Sequence, residues 1–125
     1  FFENNTIESA TIPKSVTSLQ YQSFASCKNL KNITFDSGSE LGKIEDAVFY
    51  DDSKLEKITC PQKLQSIGEN AFGGCGSLAE VELNDGLKEI GVLAFCGSGI
   101  RSIDIKDSVT NLEHMLFIIV KIYRM

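Results

Sequence analysis

The chain has 125 residues, 42% hydrophobic and 9% aromatic, which suits a single folded domain and argues against global disorder. Its formal charge of −5 and its scattered lysines argue against a nucleic-acid surface, which needs a basic stripe, and against an anionic-lipid site. The longest uninterrupted apolar run, Met115 to Val120, is far short of the ~20 residues that span a bilayer.

In chain order, Phe1, Phe24, Phe49, Phe72, Phe95 and Phe117 mark a repeat, at intervals of 23, 25, 23, 23 and 22 residues. An apolar frame returns around each mark. It reads Val16, Leu19, Phe24, Cys27, Leu30, Ile33 in the first full unit and Leu64, Ile67, Phe72, Cys75, Leu78, Val81 in the third. A period of this size predicts a stacked solenoid, in which no unit buries its apolar positions alone. The units are a partial one at 1–15, full ones at 16–40, 41–63, 64–86 and 87–108, and a partial one at 109–125. Phe1 and the run Leu116 to Val120 give the ends no polar cap, so the chain reads as part of a longer array or as one that self-associates through its ends. The long interval comes from two extra residues in Asp36–Glu40, and the short one from a residue missing between Phe95 and Ile100. Both changes fall in polar, Gly/Ser-containing stretches, where a bend can change length without moving the core.

Each unit has two halves. Ile33-Thr34-Phe35, Ile58-Thr59-Cys60, Val81-Glu82-Leu83 and Ile103-Asp104-Ile105 alternate apolar and polar, the pattern of a short strand with one buried face. The half that holds the Phe is too short for a long helix and is expected to form a short strand, a turn of 3₁₀ helix, or both. Gly68 and Gly91 are expected to suit a tight bend there. The predicted fold class is therefore a repeat solenoid, mainly β, with short parallel strands and such a return arm, which the resemblance given below makes leucine-rich-repeat-like.

Cys27 and Cys75 share one slot, three residues after the Phe, that Asn4, Asp52 and Ser98 fill in other units. A small hydrogen-bonding residue there is expected to satisfy backbone at a buried bend. Two layers at ~4.8 Å each hold Cys27 and Cys75 roughly 10 Å apart, beyond disulfide reach. No C-x-x-C pair occurs among Cys27, Cys60, Cys75 and Cys96, so the reading is structural thiols and no metal site.

The frame from Leu64 to Leu87, with Ile67-Gly68, Ala71-Phe72, Cys75, Leu78 and Val81, resembles the BspA-like leucine-rich repeat, the Treponema pallidum type. That family's pattern is Leu/Val, Ile, Ala-Phe-x-x-Cys, then Leu-x-x-Ile-x-Ile-Pro. Pro13 and Pro61 fall at its proline, while Asp36, Asn84 and Lys106 replace it. The resemblance implies a cell-surface or secreted protein used in adhesion to host matrix proteins or neighbouring cells. It brings no catalytic residue and no cofactor.

Outward strand positions are expected to form ladders: Ser9, Asn32, Lys57, Glu80, Ser102; then Thr11, Thr34, Thr59, Glu82, Asp104; then Pro13, Asp36, Pro61, Asn84, Lys106. The partner-binding residues read from them are Asn32, Thr34, Lys57, Thr59, Glu80, Glu82, Ser102 and Asp104, with the C-terminal part negative. A solvated sheet face that keeps the array soluble is the plainer reading of any one of them. Asn4 and Asn32 match the glycosylation tripeptide, and His114 reads as a surface residue. Gly73-Gly74-Cys75-Gly76 lacks the Lys of a phosphate loop and reads as a turn. The tail from Leu116 to Tyr123 is expected either to pair as the next layer or to offer an open edge. The function expected is a non-enzymatic protein-binding module outside the cell. The alternative is an intracellular or structural scaffold, and an enzyme would need a site at the Asp36–Glu40 insertion.

Overall fold

The structure is a computed structural model and describes residues 1–112 and 121–124. His114 and the stretch Leu116–Val120 lie outside the described residues. Eleven short strands appear in it: β1 (Ser9–Ile12), β2 (Ser18–Leu19), β3 (Asn32–Phe35), β4 (Lys43–Ile44), β5 (Lys57–Thr59), β6 (Ser66–Ile67), β7 (Glu80–Glu82), β8 (Glu89–Ile90), β9 (Ser102–Ile105), β10 (Asn111–Leu112) and β11 (Lys121–Arg124). Every pairing is parallel. The odd strands β1, β3, β5 and β7 build a front sheet, and β2, β4, β6, β8 and β10 build a back sheet. The return arm forms a two-residue strand and isolated i→i+3 turns, with no helix among the described residues.

The core lies between the sheets. Leu30, Leu41, Ile44, Leu55, Ile58, Leu64, Ile67, Leu78, Leu87 and Ile90 are all fully buried, each at a position of the repeating frame. Beside them the phenylalanines stack. Phe1, Phe24, Phe49, Phe72 and Phe95 have successive ring centroids 5.4, 5.6, 5.1 and 5.3 Å apart and planes within 15° of parallel. These are offset-stacking distances.

From Phe24 to Phe95, each spine Phe sits between two left-handed residues. Gln22, Ala47, Asn70 and Leu93, two residues before it, have φ of 55–58°. Ser26, Asp51, Gly74 and Gly97, two residues after it, also have positive φ. Non-glycine residues pay on the order of 1 kcal/mol for that conformation. A third ladder of backbone bonds offsets it, from Phe24 N–H to Val48 C=O (3.0 Å), Phe49 to Ala71 (2.8 Å) and Phe72 to Ala94 (2.8 Å).

Gly68 and Gly91 open the expected bends, their C=O accepting the N–H of Ala71 (3.3 Å) and of Ala94 (3.2 Å), and the neighbouring unit adds a steric need for glycine. A Cβ on Gly68 would lie 2.6 Å from the Asp46 amide nitrogen, and one on Gly91 would lie 2.7 Å from that of Glu69. Backbone of the preceding unit occupies the space a side chain would need. Gly68→Ala is therefore expected to cost ~1–3 kcal/mol by overpacking. Gly42→Ala, whose nearest contact would be Thr17 O at 3.8 Å, is expected to change stability by less than about 0.5 kcal/mol. Urea denaturation of the two variants side by side checks the difference, and equal midpoints would contradict it.

The cysteine slot behaves as expected. The Cys27 thiol donates to Phe1 C=O at 3.0 Å and the Cys75 thiol to Phe49 C=O at 3.1 Å. Asn4 Oδ1 accepts the Thr6 and Ile7 amides, and Ser98 Oγ accepts that of Ile100. All four cysteines are free. Burial pushes the Cys75 thiol up and the Cys60 thiol up to about 12, so both stay protonated.

Of the tail, Lys121–Arg124 pairs as the next layer. β11 pairs β9 from Lys121↔Ser102 to Arg124↔Ile105. β9 itself does not pair β7, so the front sheet breaks at the unit that is one residue short. There Gly99 comes so close to Gly76 that a Cβ would lie 2.8 Å from its carbonyl oxygen.

Candidate protein-binding face

The alternation of β3, β5 and β7 turns Ile33 and Ile58 into the core and the residues beside them outward. Asn32, Lys57 and Glu80 are direct register partners across three strands, and Thr59 pairs with Glu82. Asn32, Thr34, Lys57, Thr59, Glu80 and Glu82 thus share one exposed sheet face. Ser102, exposed, and Asp104, half-buried, stand on β9, outside that hydrogen-bonded sheet.

The charges on this face are partly satisfied within it. Lys57 Nζ lies 3.7 Å from Glu80 and 3.6 Å from Glu82. Lys106 Nζ lies 3.1 Å from Asp104 and 3.9 Å from Asp85, and the hydrogen bond to Asp104 holds its ammonium above the usual range. The expected negative end is therefore a mixed strip in which each lysine is shared by two carboxylates. Such exposed pairs contribute little to stability. The two threonine hydroxyls of the N-terminal rows meet as well, Thr11 Oγ1 to Thr34 Oγ1 at 3.0 Å.

The third ladder needs a correction. Asn84 does not project from the sheet; it is 4% exposed and turns inward. Its Nδ2 donates to Leu64 C=O at 2.7 Å and Gln62 C=O at 3.2 Å. A side-chain amide here finds carbonyls of the preceding unit that a proline, at the same repeat position, could not reach.

A cleft of about 680 Å³ opens on this face between β3 and β5. β1 and β3 pair over four residues and β5 and β7 over three, but β3 and β5 pair only at Asn32↔Lys57. The two-residue insertion follows β3 directly. Its backbone is tied to the preceding unit, Asp36 N–H to Ile12 C=O at 3.1 Å and Glu40 N–H to Lys14 C=O at 2.9 Å. The end of β3 stays with β1 while β5 stays with β7. Phe35, half-buried, Cys60, buried, and Pro61 line the opening, with Thr34, Thr59 and Asp36 at its rim. The insertion keeps the core, since Leu41, Ile44 and Phe49 remain fully buried, but it interrupts the front ladder. Phe35 and Cys60, inward in the strand pattern, carried no binding signal in the sequence; Pro61 stood in the third outward ladder, and the 25-residue interval was the sign of an irregularity here. A second cavity, of about 480 Å³, lies on the back sheet among Lys43, Asp46, Ser66, Glu69, Glu89 and Asn111.

No group of three His, Cys, Asp or Glu side chains among the described residues could hold a metal ion, and no helix among them is long and apolar enough to cross a membrane.

Comparison with known proteins gives a consistent picture. Residues 1–122 match the BspA type leucine rich repeat region, in six copies. No curated protein sequence matches the chain. Among solved structures, the pneumococcal vaccine antigen PcpA is similar, at 33% identity and TM-score 0.82 over 92% of this chain. A leucine-rich repeat protein from Bacteroides ovatus is 31% identical with TM-score 0.81 over 87% of the chain. The T. pallidum leucine-rich repeat protein is 27% identical with TM-score 0.74, covering 92% of this chain and 59% of its own. The chain spans 29% of PcpA and 30% of the B. ovatus protein.

Proposed function

Since this chain belongs to the BspA-type leucine-rich repeat family, we propose that it is a non-enzymatic binding module whose front sheet captures a protein outside the cell, in adhesion to host matrix or to other cell-surface proteins. The observation that carries the reading is the exposed front face itself. Six outward side chains, from Asn32 to Glu82, are set at strand spacing on a rigid core and mix hydroxyl, amide and both charges. A repeat array offers such a surface as one continuous platform. PcpA, a vaccine antigen of the same fold, supports an extracellular setting. Four free cysteines would ordinarily favour a reducing interior. Here three are buried, and two of these donate to carbonyls, so they are protected from oxidation and do not discriminate between the compartments.

The test is capture of immobilised fibronectin and fibrinogen over a salt series. Binding is expected to be saturable and to weaken with salt. The triple reversal Glu80→Lys, Glu82→Lys, Asp104→Lys strands Lys57 and Lys106 among cations and is expected to slow capture by about tenfold or more. Unaltered capture by that variant would move the site off this face.

A further inference from the structure

We infer that the cleft between β3 and β5 receives an extended segment of the partner protein, carrying one large apolar side chain with basic residues on either side. This deepens the reading of the front face as a binding surface and rests on it.

The cleft is where the front ladder is open. Parallel pairing that stops at Asn32↔Lys57 leaves Thr34 and Thr59 unpaired with each other across the gap. Thr34 is held on its other side by β1, and strand backbone that faces an open gap between two strands is what an added peptide recognises by main-chain hydrogen bonds. The floor is apolar, with Phe35, Cys60 and Pro61, and the volume of about 680 Å³ is in the range that holds a large side chain with its flanking backbone. Thiol chemistry is not on offer, because the buried Cys60 stays protonated.

Charge then selects the flanks. Each lysine at the cleft already faces carboxylate: Lys57 lies between Glu80 and Glu82, and Lys63 Nζ lies 2.8 Å from Glu40. Asp36, exposed at the rim, has no ion-pair partner among the described residues. The lining itself carries Asp36, Lys57 and Lys63, and with the carboxylates paired to those lysines, Glu40, Glu80 and Glu82, four anions stand against two cations. A basic segment is drawn in and an acidic one repelled.

The probe is a blocked heptapeptide with a central phenylalanine flanked by lysines, titrated into the ¹⁵N-labelled chain. Saturable shifts are expected at the amides of Thr34, Phe35, Thr59 and Cys60. Replacing the central phenylalanine by serine is expected to weaken binding by about tenfold or more, and replacing the lysines by glutamates to abolish it. Deleting Ser37 and Gly38 returns this interval to the 23 residues of its neighbours, extends the pairing to Thr34 and Thr59, and is expected to remove the shifts while the back-sheet amides of Leu19, Ile44 and Ile67 stay in place. Thr34→Arg, which crowds the rim without touching the loop, is expected to weaken binding similarly and serves if the deletion variant does not fold. Absence of saturable binding, shifts mapping elsewhere, or shifts that survive both variants would overturn the cleft assignment. Matrix capture that is lost in the triple charge reversal yet normal in the deletion variant would overturn the cleft alone. Normal capture in both would remove the front face as well.

Discussion

Phe72→Ala is expected to destabilise the chain by ~3–5 kcal/mol and to uncouple the units on either side of it. Phe72 is fully buried, and its ring stacks on Phe49 at 5.1 Å and on Phe95 at 5.3 Å. Truncation removes a large apolar surface, leaves a cavity that two neighbouring rings cannot fill, and breaks two aromatic contacts of ~0.5–1.5 kcal/mol each. The backbone adds to this, because Phe49 N–H bonds Ala71 C=O and Phe72 N–H bonds Ala94 C=O, so each layer positions the next. In a one-dimensional array, loss of one layer's packing weakens two interfaces and no others. Native-state hydrogen exchange should therefore show protection falling first at Phe49, Phe72 and Gly74, with the amides of Lys31 and Asp36 affected last. A melting temperature equal to that of the parent chain would remove Phe72 from the core.

The spine and the strands were legible because the repeat states them several times over. Any one unit is ambiguous, but Ile33 and Ile58 recur nine residues after their Phe and Ile103 eight, its unit being one residue short, and all three are buried. What the sequence could not show depended on atoms from two units at once. Asn84 looked like an outward strand residue until carbonyls of Leu64 and Gln62 proved to be within reach. Gly68 was legible as a bend, but its steric need for glycine comes from Asp46 backbone one layer below. The insertion at Asp36–Glu40 was visible as two extra residues that a bend could take up without moving the core, which holds, but its effect on strand pairing was not legible. Which way the loop leans is decided by the bonds to Ile12 and Lys14, and those fix the cleft. The acidic rows were legible as residues but not as charges, since register decides that Glu80 and Glu82 share Lys57.

Stability is expected to fall as pH rises from about 4 to about 8, and Asp52→Asn is expected to abolish that fall. Asp52 occupies the slot where Cys27 and Cys75 donate to the Phe carbonyl of the preceding unit. It is fully buried; its Oδ1 accepts the Cys27 amide at 2.8 Å, and its Oδ2 has no partner. A buried carboxylate oxygen with no donor beside it suits the protonated acid rather than the ion. Desolvation, reinforced by Asp51 and opposed by the Cys27 amide and Lys28, pushes its pKa from 3.8 up to about 8. The sign follows from linkage. Between those two values the folded chain holds a proton that the unfolded chain has lost, so rising pH favours unfolding. The contribution is complete below ~4, declines by about 1.4 kcal/mol per pH unit, and is gone once pH passes the folded value. Asparagine keeps the acceptor for Cys27 N–H and puts a neutral amide where Oδ2 stands, with no charge to bury. Urea unfolding at pH 5 and pH 8.5 checks this. The parent chain should lose a few kcal/mol between the two and Asp52→Asn should not, which makes the variant the more stable protein only at the higher pH. A parent chain equally stable at both would mean that Asp52 is ionised in the fold and that a water or cation completes its shell.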